Sequence, residues 1–168
     1  GLLCLCLNRG DEISLVIATD GSLGGKIPGL ELAKKRMKEA QKGLKYLGKP
    51  IFLNFKDGNL HNEKSAPQKI SQLIQENKPD LIVTHAPEDY HPDHRTLSNY
   101  VKNAASFRCP VLYSETLLGV NFTPDYYVDI TKFLDQKKEA ILAHKSQSPK
   151  RFFEATKILN RFRSAQCN

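Results

Sequence analysis

The sequence predicts an α/β fold in three layers around a mostly parallel sheet, and three observations carry that expectation. Short apolar runs recur along the chain and are too continuous to be half-exposed strands. Segments with apolar residues three and four apart separate these runs. Strand and helix therefore take turns, as they do when helices cover both faces of a parallel sheet. The 168 residues suit a single domain, since domains commonly run to about 100–150 residues.

Taken in order, Gly1 to Asn8 reads as a short apolar helix ending in a turn at Arg9-Gly10. A parallel unit normally has a strand before such a helix, so a first strand is expected to be missing from the sequence. Ile13 to Ala18 is apolar and partly β-branched between Asp11 and Asp20-Gly21, and predicts a strand within Glu12 to Thr19. Leu30, Ala33, Met37, Ala40, Leu44 and Leu47 step at helical spacing and leave Lys34, Lys35, Lys38, Lys42 and Lys45 for solvent. Further strands are predicted at Pro50 to Phe55, Asp80 to Thr84, Pro110 to Ser114 and Tyr126 to Ile130, with helices at Ser65 to Asn77, Pro92 to Phe107 and Thr131 to Lys145. The whole is a Rossmann-like arrangement, in which ligands bind beyond the carboxyl ends of the strands.

With 40% apolar and 26% charged residues, the chain can build a core, which excludes disorder, a collagen-like repeat and a disulfide scaffold. The net charge of +7 is concentrated. Glu31 to Lys49 holds seven basic and two acidic residues and Lys145 to Arg163 six and one, so the rest of the chain is acidic by three. These stretches read as solvated helix faces. Without interleaved stacking aromatics or a reader motif they do not predict nucleic-acid binding. No run approaches the length of a membrane span, and the opening Gly1 to Leu7 has neither the basic start nor the cleavage site of a signal peptide. A cytoplasmic location is expected. Cys4, Cys6, Cys109 and Cys167 show no metal or redox spacing.

Chemistry concentrates between Thr84 and Arg95, which hold His85, His91, His94, Glu88, Asp89, Asp93 and two prolines. If Pro92 is the first helical residue, His91 is the N-cap and His94 heads the stripe His94, Leu97, Val101, Ala104, facing the protein body. His94 is then placed as a metal ligand would be. His91 can reach the same pocket, and Asp93 can fix the tautomer of a neighbouring imidazole. A self-contained metal group from His85, Asp89, His91 and His94 also stays open, provided that side chains of one loop converge. The rival reading is a polar loop feeding a helix, with Asp93 favoured by the helix dipole. A phosphate loop at Gly21-Ser22-Leu23-Gly24-Gly25-Lys26 is excluded, because three residues rather than four separate Gly21 from Gly25 and Ile27 follows the lysine.

The run P-D-L-I-V-T-H-A-P-E-D-Y-H-P-D-H-R, Pro79 to Arg95, resembles the second motif of the PIG-L/LmbE-like family of zinc-dependent N-acetylglucosaminyl deacetylases. The resemblance continues in order through Thr19-Asp20-Gly21, Arg36-x-x-Glu39, Phe55-x-Asp57-Gly58, Pro110 to Tyr113, Pro124 to Thr131 and His144 to Gln147. It implies a zinc cofactor with His94 as a ligand. It implies His91 as the catalytic histidine at the oxyanion or in proton transfer, with the Asp93 carboxylate orienting and charging it. Arg36, Asp57 and Asp89 become substrate-binding candidates, Arg36 and Glu39 being equally readable as an i,i+3 helix pair. His144 divides between a site role and a histidine favoured by a helix C-terminus.

The implied reaction is hydrolysis of the acetamide of an N-acetylglucosaminyl small molecule or glycoconjugate, releasing acetate and a free amino sugar. The family's first motif, A-H-P-D-D-E, supplies further zinc ligands and the general base, and it is not in these 168 residues. The expectation is a single deacetylase-like domain over 1–168, cut at both ends, whose parent protein is active while the 168 residues alone are not, because a catalytic zinc needs three protein ligands. The alternative is a non-catalytic sugar-binding or assembly module that keeps the fold without a complete zinc site. The aglycone and the oligomeric state, homo-oligomers included, stay open.

Overall fold

The computed structural model describes residues 1–117 and 121–167. In chain order its elements are α1 (Leu2–Arg9), β1 (Val16–Thr19), α2 (Gly29–Gly43), β2 (Ile51–Phe55), α3 (Ala66–Asn77), β3 (Ile82–His85), α4 (Pro92–Ala105), β4 (Val111–Ser114), α5 (Leu134–Ala143) and α6 (Pro149–Gln166). Single 3-10 turns lie at Leu60–Asn62, Thr131–Phe133 and Lys145–Gln147. This is a mixed α/β fold with short strands, in two two-stranded sheets, β1 with β2 and β3 with β4. The chain divides into two compact units, Gly1–Leu53 with Asp125–Asn168, and Asn54–Pro124.

In the first unit, α1 stops at Gly10, whose φ of 95° is open to glycine at little cost. The N–H groups of Gly10 and Asp11 then close on the carbonyls of Leu7 and Cys6 at 3.0 and 3.1 Å. The Ile51 N–H donates to the Leu15 carbonyl at 2.8 Å where β1 and β2 meet. Helix α2 buries Leu32, Glu39, Ala40 and Gly43 and packs on α5, while Lys34, Lys35, Lys38 and Lys42 are exposed as their spacing predicts. Gly43 permits the close approach: a Cβ there would lie 2.9 Å from the Ala140 carbonyl oxygen. Glu39 is a buried carboxylate that accepts from the Ser146 N–H at 2.9 Å and the Ser146 hydroxyl at 2.6 Å. These bonds offset the cost of taking its charge out of water.

The second unit is organised on β3 and β4, which run parallel in the register Ile82↔Val111 to His85↔Ser114. Helices α3 and α4 pack on each other and α4 packs on β3. Leu60, Ala66, Ile70, Ala86, Val101 and Ala105 form the buried core. Both helices start at prolines within their first two positions, where the lost N–H is not needed.

One predicted element is corrected. Tyr126 to Ile130 is not a strand. The β-branched and aromatic composition suggested one, but Tyr126, Tyr127 and Val128 are exposed at 78, 42 and 46%, and among the described residues no strand pairs with them. Without a partner edge the propensity has nothing to act on. Helix α2 also ends at Gly43, four residues before the periodicity does, and Leu44 to Leu47 form a turn instead.

Candidate functional site

The site is built at the carboxyl end of β3, where His85 is the last strand residue and the loop from Ala86 to His91 leads into α4. His91 is the N-cap of α4 and Pro92 its first residue, and the His91 Nδ1 accepts the Asp93 N–H at 3.2 Å. A ring whose Nδ1 accepts is a neutral imidazole with its proton on Nε2, so the capping bond fixes the tautomer.

Asp93 is 4% exposed, and its oxygens accept the Gly58 N–H at 2.7 Å and the Leu60 N–H at 3.0 Å. The carboxylate thus joins the start of α4 to the turn that follows Asp57. The resemblance implies that the Asp93 carboxylate orients His91; in the structure it is the backbone N–H of Asp93 that His91 contacts. Asp57 itself is half-buried at that turn.

Asp89 is the hub. Its side chain is 1% exposed; Oδ1 accepts the His91 N–H at 2.9 Å and pairs with His94 Nδ1 at 2.9 Å, and Oδ2 accepts the Thr116 hydroxyl at 2.6 Å. Burial pushes its carboxyl up, but the His91 N–H, the Thr116 hydroxyl and His94 together outweigh burial and hold it below its ordinary value. The structure therefore sets Asp89 inward, against other residues of the site. Arg95 holds the same loop by donating to the carbonyls of Asp89 and Tyr90 at 2.7 and 2.8 Å.

The His85 and His94 rings stack at 3.8 Å and are parallel within 3°. His91 lies 4.7 Å from His94 between ring centres. Burial, aided by the neighbouring His94 and opposed by Asp89, drives the His85 pKa down to about 4, so the ring is neutral near pH 7. Its Nδ1 is buried with no hydrogen-bond partner among the described residues.

His85, Asp89 and His94 offer donor atoms all within 4.8 Å of one another. Two nitrogens and one carboxylate oxygen are a donor set that zinc accepts, and tetrahedral ligands at zinc distances lie about 3.4 Å apart. The unpartnered His85 nitrogen and the His94 ring beside it fit a metal ion as nitrogen donors, whereas Asp89, whose oxygens are taken by the His91 N–H, His94 and Thr116, stands behind His94 and not as a third donor. The Asp89 contact to Nδ1 leaves the His94 Nε2 lone pair for a ligand bond, the arrangement by which a carboxylate behind a histidine prepares it for metal.

Arg36 belongs to the first unit, where its guanidinium donates to the carbonyls of Gly21 and Leu23 at 2.6 and 2.7 Å and shapes the turn after β1. His144, in the same unit, is half-buried and lines a cavity of about 180 Å³ with Ile141, Gln147, Pro149 and Phe152. Nothing in the sequence marks Thr116. A threonine two residues past a strand has no periodicity or motif to mark it, and its partner is 27 residues away.

A family profile described as "PIG-L: GlcNAc-PI de-N-acetylase" matches residues 1–105. The chain belongs to this family. It is 31% identical to a probable N-acetyl-alpha-D-glucosaminyl L-malate deacetylase 2 of Bacillus cereus over 88% of this chain and 76% of that protein. It is 29% identical to the diacetylchitobiose deacetylase of Thermococcus kodakarensis over 88% of this chain, spanning 63% of that relative's length. The crystal structure of the 4-carboxy-2-hydroxymuconate hydratase GalB of Pseudomonas putida superposes with a TM-score of 0.85 over 99% of this chain and 79% of that one, at 18% identity, a likeness of fold alone.

Proposed function

We propose that the parent protein is a zinc-dependent amide hydrolase that removes the N-acetyl group from an N-acetylglucosamine-containing substrate in the cytoplasm, these 168 residues carrying its second motif. The observation that carries this reading is the ordering of two histidines at one helix start in a chain of the PIG-L family. His94 is set by Asp89 with Nε2 free for metal, and His91 is set by its capping bond with Nε2–H free to donate. The relatives that are deacetylases support the amide substrate, whereas the hydratase fold-mate shows that fold by itself does not choose the reaction.

His94 would hold the zinc, with His85 the further donor supported by its unpartnered nitrogen. When bound, zinc supplies a Lewis acid for the acetamide carbonyl and for water. His91 donates from Nε2 to the acetamide oxygen as negative charge develops there, a fixed donor needing no reorganisation at that moment. Asp93 sets where that donor stands, since its carboxylate anchors the helix start and its N–H orients the ring. Asp57 is the carboxylate offered to sugar hydroxyls. Arg36, a further substrate-binding candidate, would act within its own unit through the turn after β1 that it shapes. Asp89 serves by positioning His94.

The test is acetate release from N,N′-diacetylchitobiose and from an N-acetylglucosaminyl malate by the zinc-loaded parent protein that carries the expected first motif. Acetate from either is the expected result. Sugar binding with no acetate from any N-acetylglucosaminyl compound would overturn the hydrolase and favour a binding module.

A further inference from the structure

Among the contacts at the histidine cluster, one comes from a residue with no place in the reaction proposed above. Thr116 follows β4 by two residues, and its hydroxyl donates to Asp89 Oδ2 at 2.6 Å. The other oxygen of the same carboxylate is the one that pairs with His94 Nδ1 at 2.9 Å and accepts the His91 N–H at 2.9 Å. An aspartate turns easily about its last torsion, which has a broad profile. One anchored oxygen leaves that rotation available; a partner on each oxygen fixes the carboxylate plane. The Asp89 side chain is 1% exposed, so a lost partner at Oδ2 leaves a buried acceptor unsatisfied and gives the carboxylate a reason to turn.

We propose that Thr116 is a positioning residue that acts through Asp89 to keep His94 in the tautomer with its proton on Nδ1 and the Nε2 lone pair free. The chain Thr116, Asp89, His94 runs from the end of β4 through the loop after β3 to the first turn of α4, so the ligand histidine is aimed by two strand ends as well as by its own helix. Arg95 complements it by fixing the backbone of the same loop through the Asp89 and Tyr90 carbonyls, whereas Thr116 fixes the side chain. This inference rests on reading His94 as a metal ligand.

The experiment uses the metal-free 168-residue chain and reads the imidazole nitrogens of His94 by 15N NMR at a pH where the ring is neutral. Zinc titrations of the parent protein with the same variants follow. The unmodified chain and Thr116→Ser, which keeps the hydroxyl, are expected to show the single Nδ1–H tautomer. Thr116→Val, which keeps the shape and removes the hydroxyl, is expected to show a mixture and about tenfold weaker zinc binding, the lower end of what loss of a partner behind a ligand commonly costs. An unaltered tautomer in Thr116→Val would overturn the proposal, as would a Thr116→Ser spectrum as mixed as that of Thr116→Val. Protection of the Thr116 hydroxyl proton from exchange in the unmodified chain is a second measurement that needs no variant, and a freely exchanging hydroxyl would also overturn it. If the unmodified chain shows the Nδ1–H tautomer yet the parent protein binds no zinc through His94, the metal reading fails and the tautomer results still decide the role of Thr116.

Discussion

Asp93 shows how one side chain can join a helix start to a turn far away in the chain. It is buried and accepts two backbone N–H groups from the Gly58 to Leu60 turn. Asp93→Ala would strand both donors, and hydrogen bonds to a charged group contribute about 1.5–3 kcal/mol each, so a loss of about 3–6 kcal/mol is expected in denaturant unfolding. Asp93→Asn keeps an acceptor for one donor and should lose less. A second residue-scale prediction concerns pH. Burial lowers the His144 pKa from 6.5, with nearby Arg36 acting in the same direction and Glu39 against it. The unfolded chain then takes up a proton that the folded chain resists, so the stability from this group is complete above pH 6.5 and declines as pH falls below it. His144→Gln should flatten unfolding free energy against pH in that window; an unchanged slope would place the titration elsewhere. At this scale the sequence made the helix-start residues legible, because Pro92 fixes the first turn and so fixes what His91 and His94 can be. It could not reveal that the Asp93 carboxylate turns to Gly58 and Leu60, since a preference for a helix N-terminus names no partner.

Elements were legible where burial follows a period, and less so where pairing decides. The lysine face and apolar stripe of α2 were readable because a solvated face and a core face alternate at 3.6 residues. Tyr126 to Ile130 was misread as a strand because propensity registers composition and not the presence of a neighbour. The contact between α2 and α5 was also hidden, since a glycine in a helix looks like a weakness until the backbone that it admits is seen. Gly43→Ala tests this. Helix propensity alone would favour alanine by about 1 kcal/mol, but the new Cβ would meet the Ala140 carbonyl oxygen at 2.9 Å. Overpacking of this kind costs about 1–3 kcal/mol. A lowered melting temperature is therefore expected, and a raised one would show that α2 and α5 separate without cost.

For the whole molecule, composition excluded more than it identified. The +7 charge resolves into two helix faces, and no helix among the described residues is long and apolar enough to cross a membrane. The candidate chemistry sits in one short segment, Thr84 to Arg95, whose order follows from a strand end, a capped helix start and the residues that brace them. Such convergence is readable from sequence only within the segment, which is why His85, Asp89 and His94 could be suspected of meeting and Thr116 could not. The central claim is that His91 acts on the reacting amide while His94 holds the metal. Its most direct test is to compare acetate release and bound zinc in the parent protein and in its His91→Ala variant. The account predicts that zinc is retained while turnover falls by about 100- to 1000-fold, the usual cost of removing one donor to a developing oxyanion. Unchanged turnover with zinc retained would contradict it.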